Sequence, residues 1–284
     1  MSSVDTAPRA DAWSPRLGLT EAFIAAVVLG AGLAFAARHS ALTLLIAVAV
    51  AQALLALVWV FGTAMPGRWG GLVIATLASA GADVAVSVRP HERLGVLLTV
   101  LGLVIPAIFI HQLARGAARV QVVTSMGAVA LLAVAEVALA ALPQTRHEFT
   151  PADAGGKVVA AVVASIAVAL AVGFVVDTLL PVPRFDQDVA RGLLALVVSA
   201  AAGAGVGYLM LHSQQRFGDA RGAFVGAALG VLAALVSVAC SFVLYTTPVP
   251  GARWAARLRV AVTALLPIAV LAPPAFLLCL AVRT

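Results

Sequence analysis

The chain has 284 residues, of which 63% are hydrophobic and only 11% are charged, and its mean hydropathy is +1.09. A soluble domain usually carries about 25% charged residues, so this chain has too few to cover the apolar surface of a water-soluble fold. The net charge of +6 does not indicate nucleic acid binding, because the basic residues form no patch and fall between apolar runs.

The N-terminal segment, 1–18, is polar and contains two prolines. We interpret it as a disordered tail that precedes a single transmembrane helical domain over 19–284. The first apolar run, 20–37, is longer than the apolar part of a signal peptide, and further runs follow it. The segment Ala34-Phe35-Ala36 resembles a cleavage site, but we favour a first helix that is retained.

Eight further apolar runs follow, and each is long enough to cross a hydrocarbon core about 30 Å thick. Continuous runs predict helices, whereas the strands of a membrane barrel alternate over about ten residues. The runs lie near 41–64, 70–88, 94–114, 120–142, 157–180, 192–212, 222–245 and 260–281. The sequence therefore predicts an all-α fold, a polytopic helical membrane bundle with about nine transmembrane helices in contact with the lipid bilayer.

The predicted loops are short, and even the longest, about 143–156, cannot house a separate catalytic domain. In a chain with nine spans, ten of the 18 basic residues fall on the side of the N-terminus and eight on the other. Cytoplasmic loops carry the excess of Lys and Arg, so this small difference favours a cytoplasmic N-terminus. We expect an integral protein of a plasma membrane of the bacterial type.

Two acidic residues lie deep in predicted helices, Asp83 in the third and Glu136 in the fifth. The two helices run in the same direction, so both acids fall in the half of the bilayer opposite the N-terminal side. A charged side chain at such depth costs roughly 2.5–3.5 kcal/mol on insertion scales and usually faces the bundle interior. A carboxyl group in low dielectric can exchange a proton near neutral pH, so this pair is a candidate proton or ion site. The alternative is an acid that only fixes helix register.

A second candidate polar layer consists of His111 and Gln112, near the end of the fourth helix, and Asp177, near the end of the sixth. These helices run in the same direction, so the three residues share the half of the bilayer on the N-terminal side. A carboxylate and a histidine can also exchange protons. Their position near the interface favours a structural role, and Gln52 in the second helix is interpreted as an interhelical hydrogen-bonding residue.

Glycines recur at intervals of four on two neighbouring predicted helices. Gly203 and Gly207 lie on the seventh helix, and Gly222, Gly226 and Gly230 lie on the eighth. Small residues at this spacing let helix backbones approach closely in lipid. We expect these helices to pack on each other or on a neighbour. A homodimer seam is the alternative, and glycine is also common throughout this chain.

Prolines interrupt two of the predicted helices, Pro106 in the fourth and Pro267, Pro273 and Pro274 in the last. Each removes a backbone hydrogen bond and tends to kink its helix. Broken helices often surround transporter sites, although kinks in membrane helices also serve packing alone.

The sequence contains no GxxxxGK loop, no HExxH and no GxSxG motif, so no catalytic residue is predicted. Cys240 and Cys279 lie within apolar runs, and no CxxC or Cys/His cluster is present. We therefore predict no metal site and no cofactor. Asp186 and Asp188 form a lone DxD pattern, which we interpret as a solvated turn.

Three classes of function remain open. The first is a transporter or permease for a small solute or lipid, proton-coupled through Asp83 and Glu136. The second is a non-catalytic membrane subunit that packs against a partner protein or a second copy through its glycine faces. The third, and least favoured, is a membrane-embedded lipid-modifying enzyme in which Asp186 and Asp188 act. The buried acids and short loops favour the first class.

Overall fold

The computed structural model describes residues 15–63, 65–116, 121–149, 152–180, 192–212, 214, 217–246 and 253–283. Of these residues, 92% are helical and none lies in a strand. The helices are α1 (Pro15–His39), α2 (Ala41–Gly62), α3 (Arg68–Val88), α4 (Gly95–Ala114), α5 (Val122–Leu139), α6 (Ala141–Glu148), α7 (Ala152–Leu179), α8 (Leu193–Leu211), α9 (Gly218–Thr246), α10 (Arg253–Val270) and α11 (Ala272–Val282), with a 3₁₀ turn over Pro90–Glu92. Most of the predicted tail lies outside the described residues, and α1 begins within it.

Nine helical spans in the described ranges are long and apolar enough to cross a membrane, judged by length and composition. The predicted all-α polytopic bundle is thereby confirmed, and the chain is an integral membrane protein. Large apolar side chains such as Phe35, Leu77 and Leu103 are exposed on the outside of the bundle. Water would make such a surface prone to aggregation, whereas lipid covers it at no cost.

The fifth span consists of two helices, α5 and α6, that meet at Ala140. The N–H of Ala140 donates to the carbonyl of Val137, three residues back instead of four. Pro143 has no N–H to donate to Leu139, which explains the interruption of α-helical bonding at this point. The prediction of a loop over about 143–156 is wrong, because α6 continues the span and packs against α7 and α11.

The ninth span is also broken. α10 ends at Val270 and α11 begins one residue after Leu271, with Pro273 and Pro274 in its first turn. Proline lacks an N–H group, but this costs the helix little stability in its first turn. The N–H groups of a first turn have no intrahelical partner in any helix. The fourth span differs, since α4 remains continuous through Pro106. α10 packs on α5 and α11 packs on α6, so the two broken spans lie side by side.

The spans form two groups. α7 is the most buried of the nine and packs against α1, α8 and α9, whereas α3, α4 and α5 pack mainly on one another. α2 joins this second group through α3 and α5 and also packs on α1 and α10. α10 contacts members of both groups. The second group contains both candidate acids, so their surroundings are set by α2, α3 and α5.

The two rows of glycines lie against each other at the interface of α8 and α9, which is the most extensive interhelical contact in the described part of the chain. A Cβ atom built on Gly226 would overlap the backbone oxygen of Gly203 and lie 3.0 Å from the Cα of Gly207. Backbone therefore meets backbone, as small residues at this spacing allow. All five glycines are buried within one chain, which leaves these rows unavailable to a second copy.

Replacing Gly226 with alanine is expected to destabilise the protein by about 1–3 kcal/mol, because the added methyl group forces two backbones apart. The measurement is thermal unfolding of the purified protein in mild detergent. Gly205→Ala is the matched control, since Gly205 lies on α8 and a Cβ atom there meets nothing within 4 Å. Equal stability of the two variants would contradict close backbone contact at Gly226.

Candidate functional site

A polar cluster of Gln52, Asp83 and Glu136 lies where α2, α3 and α5 meet. The Nε2 atom of Gln52 donates to Oδ1 of Asp83 at 3.3 Å and to the backbone oxygen of Glu136 at 3.0 Å. Gln52 and Glu136 are buried, and Asp83 is half-buried. The structure thus places the two candidate acids in one cluster and puts Gln52 between their helices.

The carboxyl group of Glu136 is the least satisfied member of the cluster. Glu136 is 1% exposed, and neither carboxyl oxygen has a hydrogen-bond partner of good geometry among the described residues. The backbone of Ala56 comes within looser hydrogen-bonding range, and Asp83 lies near enough to oppose a negative charge on the group. An ionised carboxylate here would lack both water and a positively charged partner, which costs several kcal/mol. The surroundings therefore suit the neutral acid in this conformation.

Sequence reasoning missed the polar residues of α6. Gln144 is 0% exposed; its Nε2 donates to the carbonyl of Pro90 at 2.7 Å, and its Oε1 has no partner within the described residues. Arg146 is also buried and points the other way, donating from Nη1 to the carbonyl of Ala37 on α1. Gln144 follows Glu136 at two intervals of four, a helical spacing that would have revealed it had Pro143 not suggested a loop.

Glu148, the last residue of α6, lies between two arginines. Its Oε1 is 2.8 Å from Nη1 of Arg283, and its Oε2 is 3.6 Å from Nε of Arg93. The guanidinium of Arg283 also stacks over the ring of Phe149, 5.5 Å from its centroid. These contacts tie the end of α6 to the end of α11 and to the segment that follows α3.

His111 and Gln112 hold the connection between α2 and α3. Nε2 of Gln112 donates to Oγ of Ser125 at 3.0 Å, and that hydroxyl donates to the carbonyl of Pro66 at 2.8 Å. The ring of His111 occupies the space where Gly70 lacks a side chain. These contacts join α4 to α5 and to the connection between α2 and α3, while Nε2 of His111 is buried without a hydrogen-bond partner in the described residues.

Asp177 does not join His111 and Gln112. Its Oδ1 accepts a hydrogen bond of 2.8 Å from the backbone N–H of Gly192, the residue that precedes α8. α4 packs mainly on α3 and α5, whereas α7 packs mainly on α1 and α8. The residues of the second candidate layer therefore lie in two separate places at a similar predicted depth.

An apolar cavity of about 220 Å³ lies between α2, α5, α9 and α10. Its walls include Trp59, Leu131, Cys240 and Leu266, and none of the three polar cluster residues lines it. Such walls suit a hydrocarbon group better than a polar solute.

In the part of the chain that the structure describes, no group of three His, Cys, Asp or Glu residues is placed to hold a metal ion. Cys240 and Cys279 are buried, and neither forms a disulfide bond within the described residues. The DxD pattern at Asp186 and Asp188 lies outside the described residues. No protein family, curated protein or solved structure matches the chain.

Proposed function

We propose that the chain is a transporter or permease for a small solute or lipid, and that Glu136, assisted by Asp83, binds and releases a proton during its cycle. The observation that carries the proposal is a fully buried carboxyl group, in a membrane-spanning helix, without a hydrogen bond of good geometry to either oxygen within the described residues. An unmade hydrogen bond at a buried polar group costs about 1–3 kcal/mol, so a purely structural acid is expected to have its oxygens satisfied.

Burial links the proton on Glu136 to conformation. The neutral acid tolerates the closed interface of α2, α3 and α5, whereas the ionised acid needs water or a cation and so favours an open one. Asp83 strengthens this link, because its negative charge would oppose a second charge on Glu136. A ligand shifts a conformational equilibrium only if it binds the two states differently, and a proton on Glu136 meets that condition.

The broken spans support the same proposal. α5 and α6 are interrupted at Ala140, one helical turn after Glu136, and the neighbouring span is interrupted at Leu271. Each break leaves backbone groups without intrahelical hydrogen bonds and provides a hinge point. Discontinuous helices commonly surround the binding sites of secondary transporters. The apolar cavity beside α10 favours a substrate with a hydrocarbon part.

The other two classes of function have less support. The glycine rows that suggested a partner subunit are occupied within the chain. The lipid-modifying enzyme depends on Asp186 and Asp188, which lie outside the described residues. A transport role uses the buried acid, which the alternatives leave without a purpose.

The proposal is tested by determining whether the Glu136 carboxyl group is protonated when the protein is in a membrane. A lipophilic carbodiimide reacts with neutral carboxyl groups in apolar surroundings and leaves a stable adduct. We expect the full chain in lipid vesicles to be modified at Glu136 at neutral pH, seen as a mass increase of the peptide that contains it. Modification should decrease as the pH is raised and should be absent from Glu136→Gln.

Asp177→Asn is the matched control, because Asp177 is a buried acid whose Oδ1 is already hydrogen-bonded. This variant is expected to leave the modification of Glu136 unchanged. A folded protein in which Glu136 stays unmodified at every pH, or in which modification does not depend on pH, would rule out its role as a proton-binding group.

A further inference from the structure

We infer that α6 forms the route by which protons or small cations reach Glu136 from the membrane face opposite the N-terminus, with Gln144 as its intermediate polar step. This route rests on the proposed function of Glu136. Three features support it: polar residues at successive levels of the fifth span, an unpartnered amide oxygen on Gln144 within the described residues, and, in the other direction, polar groups that are already hydrogen-bonded.

Glu136 and Gln144 face the same neighbouring segment. Glu136 lies beside Asp83 on α3, and Gln144 donates to the carbonyl of Pro90, seven residues further along. α3 and the fifth span run in the same direction, so these contacts occupy successive levels of one interface. At 1.5 Å per residue, Gln144 lies about 12 Å beyond Glu136 along the span.

Glu148 extends the line to the membrane face. It follows Gln144 by four residues, roughly 6 Å along the helix, and is partly exposed between Arg93 and Arg283. The Oε1 atom of Gln144 is a buried acceptor without a partner in the described part of the chain, so it can take a hydrogen bond from water or bind a cation. Arg146 points toward α1, which leaves this face of α6 without a buried positive charge.

The opposite direction from Glu136 is closed by bulky apolar side chains. Toward the N-terminal side, the buried face of α5 carries Leu132 and Val129. On α2, Leu55 lies on the same side of Gln52. All three are fully buried. The nearest buried polar side chains in this direction are Ser79 on α3 and Ser125 on α5, and both hydroxyls already donate to backbone carbonyls. The open acceptor near the cluster is Oε1 of Gln144, on the α6 side, which favours access from that side in this conformation.

Between Glu136 and Gln144 the buried side chains of the fifth span and of α3 are apolar. The fifth span presents Ala140 there, and α3 presents Val86; both are fully buried. Ala140 has only a methyl group and lies at the break between α5 and α6, where the helix can bend. On α2 the corresponding position toward this face is Val48, also fully buried; the route is placed along α3 because Gln144 donates to Pro90, which follows α3. Val86 is the side chain expected to limit passage.

The test is one-sided modification of Glu136→Cys in a full-length chain whose Cys240 and Cys279 are replaced by alanine. A small, membrane-impermeant methanethiosulfonate cation is added to one face or the other of sealed vesicles, and the modification rate is measured by mass spectrometry. We expect modification from the face opposite the N-terminus. Adding Gln144→Leu is expected to lower that rate about tenfold, because one hydrogen-bonding step is lost from the path.

Two further variants locate the route. Val86→Ala is expected to raise the rate, and Leu132→Ala, on the closed side, to leave it unchanged. Equal rates from both faces, faster modification from the N-terminal face, or no effect of Gln144→Leu would overturn the route. If Glu136→Cys and Gln144→Cys both fold and both stay unmodified, α6 provides no access and the route is rejected. A lipophilic carbodiimide reaches Glu136 through lipid, so its result separates failure of the route from failure of the proton site.

Discussion

Glu136→Gln is expected to abolish solute-driven proton uptake while the protein stays folded. Glutamine has nearly the same shape as the neutral acid that the interface of α2, α3 and α5 accommodates, so the free energy of unfolding should change by less than about 1 kcal/mol. Glutamine cannot release a proton, however, and therefore cannot drive the interface open. The protein is expected to remain in its closed conformation.

The measurement uses vesicles that contain the purified full chain and a trapped pH indicator. Solutes from a panel that includes compounds with hydrocarbon tails are added in turn, and the pH change that each causes is recorded. Glu92→Gln is the matched control, because Glu92 is an exposed acid paired with Arg89. Uptake at the wild-type rate in folded Glu136→Gln would eliminate this residue as the coupling group. Loss of uptake in both variants would show that the effect is not specific to Glu136.

The nine spans were predictable because the bilayer imposes a simple physical rule. Every backbone polar group in hydrocarbon must be bonded within its own segment, so each apolar run of sufficient length becomes a helix. The same rule made Asp83 and Glu136 conspicuous, since charge at membrane depth is costly. Their helices run in the same direction, so their common depth followed from the span order alone.

Lateral position did not follow from span order. His111 and Asp177 share a predicted depth, but α4 and α7 belong to different groups of helices. Which helices become neighbours depends on packing between side chains that are distant in sequence, as at Gly203 and Gly226. Depth along the membrane normal is therefore encoded locally, and arrangement within the membrane plane is not.

α6 escaped prediction for a related reason. Pro143 and the polar residues after it have the composition of a turn, which predicts a loop over about 143–156. Gln144 is bonded to Pro90, and Glu148 to Arg283, which lie far away in sequence. These partners form hydrogen bonds and ion pairs with polar groups that the neighbouring sequence alone would predict to be solvated. A polar half-helix inside a bundle becomes recognisable only when its partners are known.

Gly155→Ala is expected to have the largest effect on stability, because Gly155 on α7 lies against the backbone of the end of α6. A Cβ atom there would overlap the carbonyl oxygen of Arg146 and lie 2.6 Å from that of Phe149. Only two residues separate Phe149 from the start of α7, so α6 cannot move aside as α8 and α9 can. We expect a loss of more than about 3 kcal/mol, enough to deplete folded protein.

The yield of monodisperse protein on size exclusion and its thermal midpoint provide the measurement. Gly127→Ala is the control, because Gly127 lies within α5 and a Cβ atom there meets nothing within 4 Å. Alanine favours helix over glycine by up to about 1 kcal/mol, so this control should be neutral or stabilising. If Gly155→Ala were as stable as the control, the turn between α6 and α7 would be looser than described. α6 would then not be fixed in the position that aligns Gln144 with Glu136, and the access route would lose its structural basis.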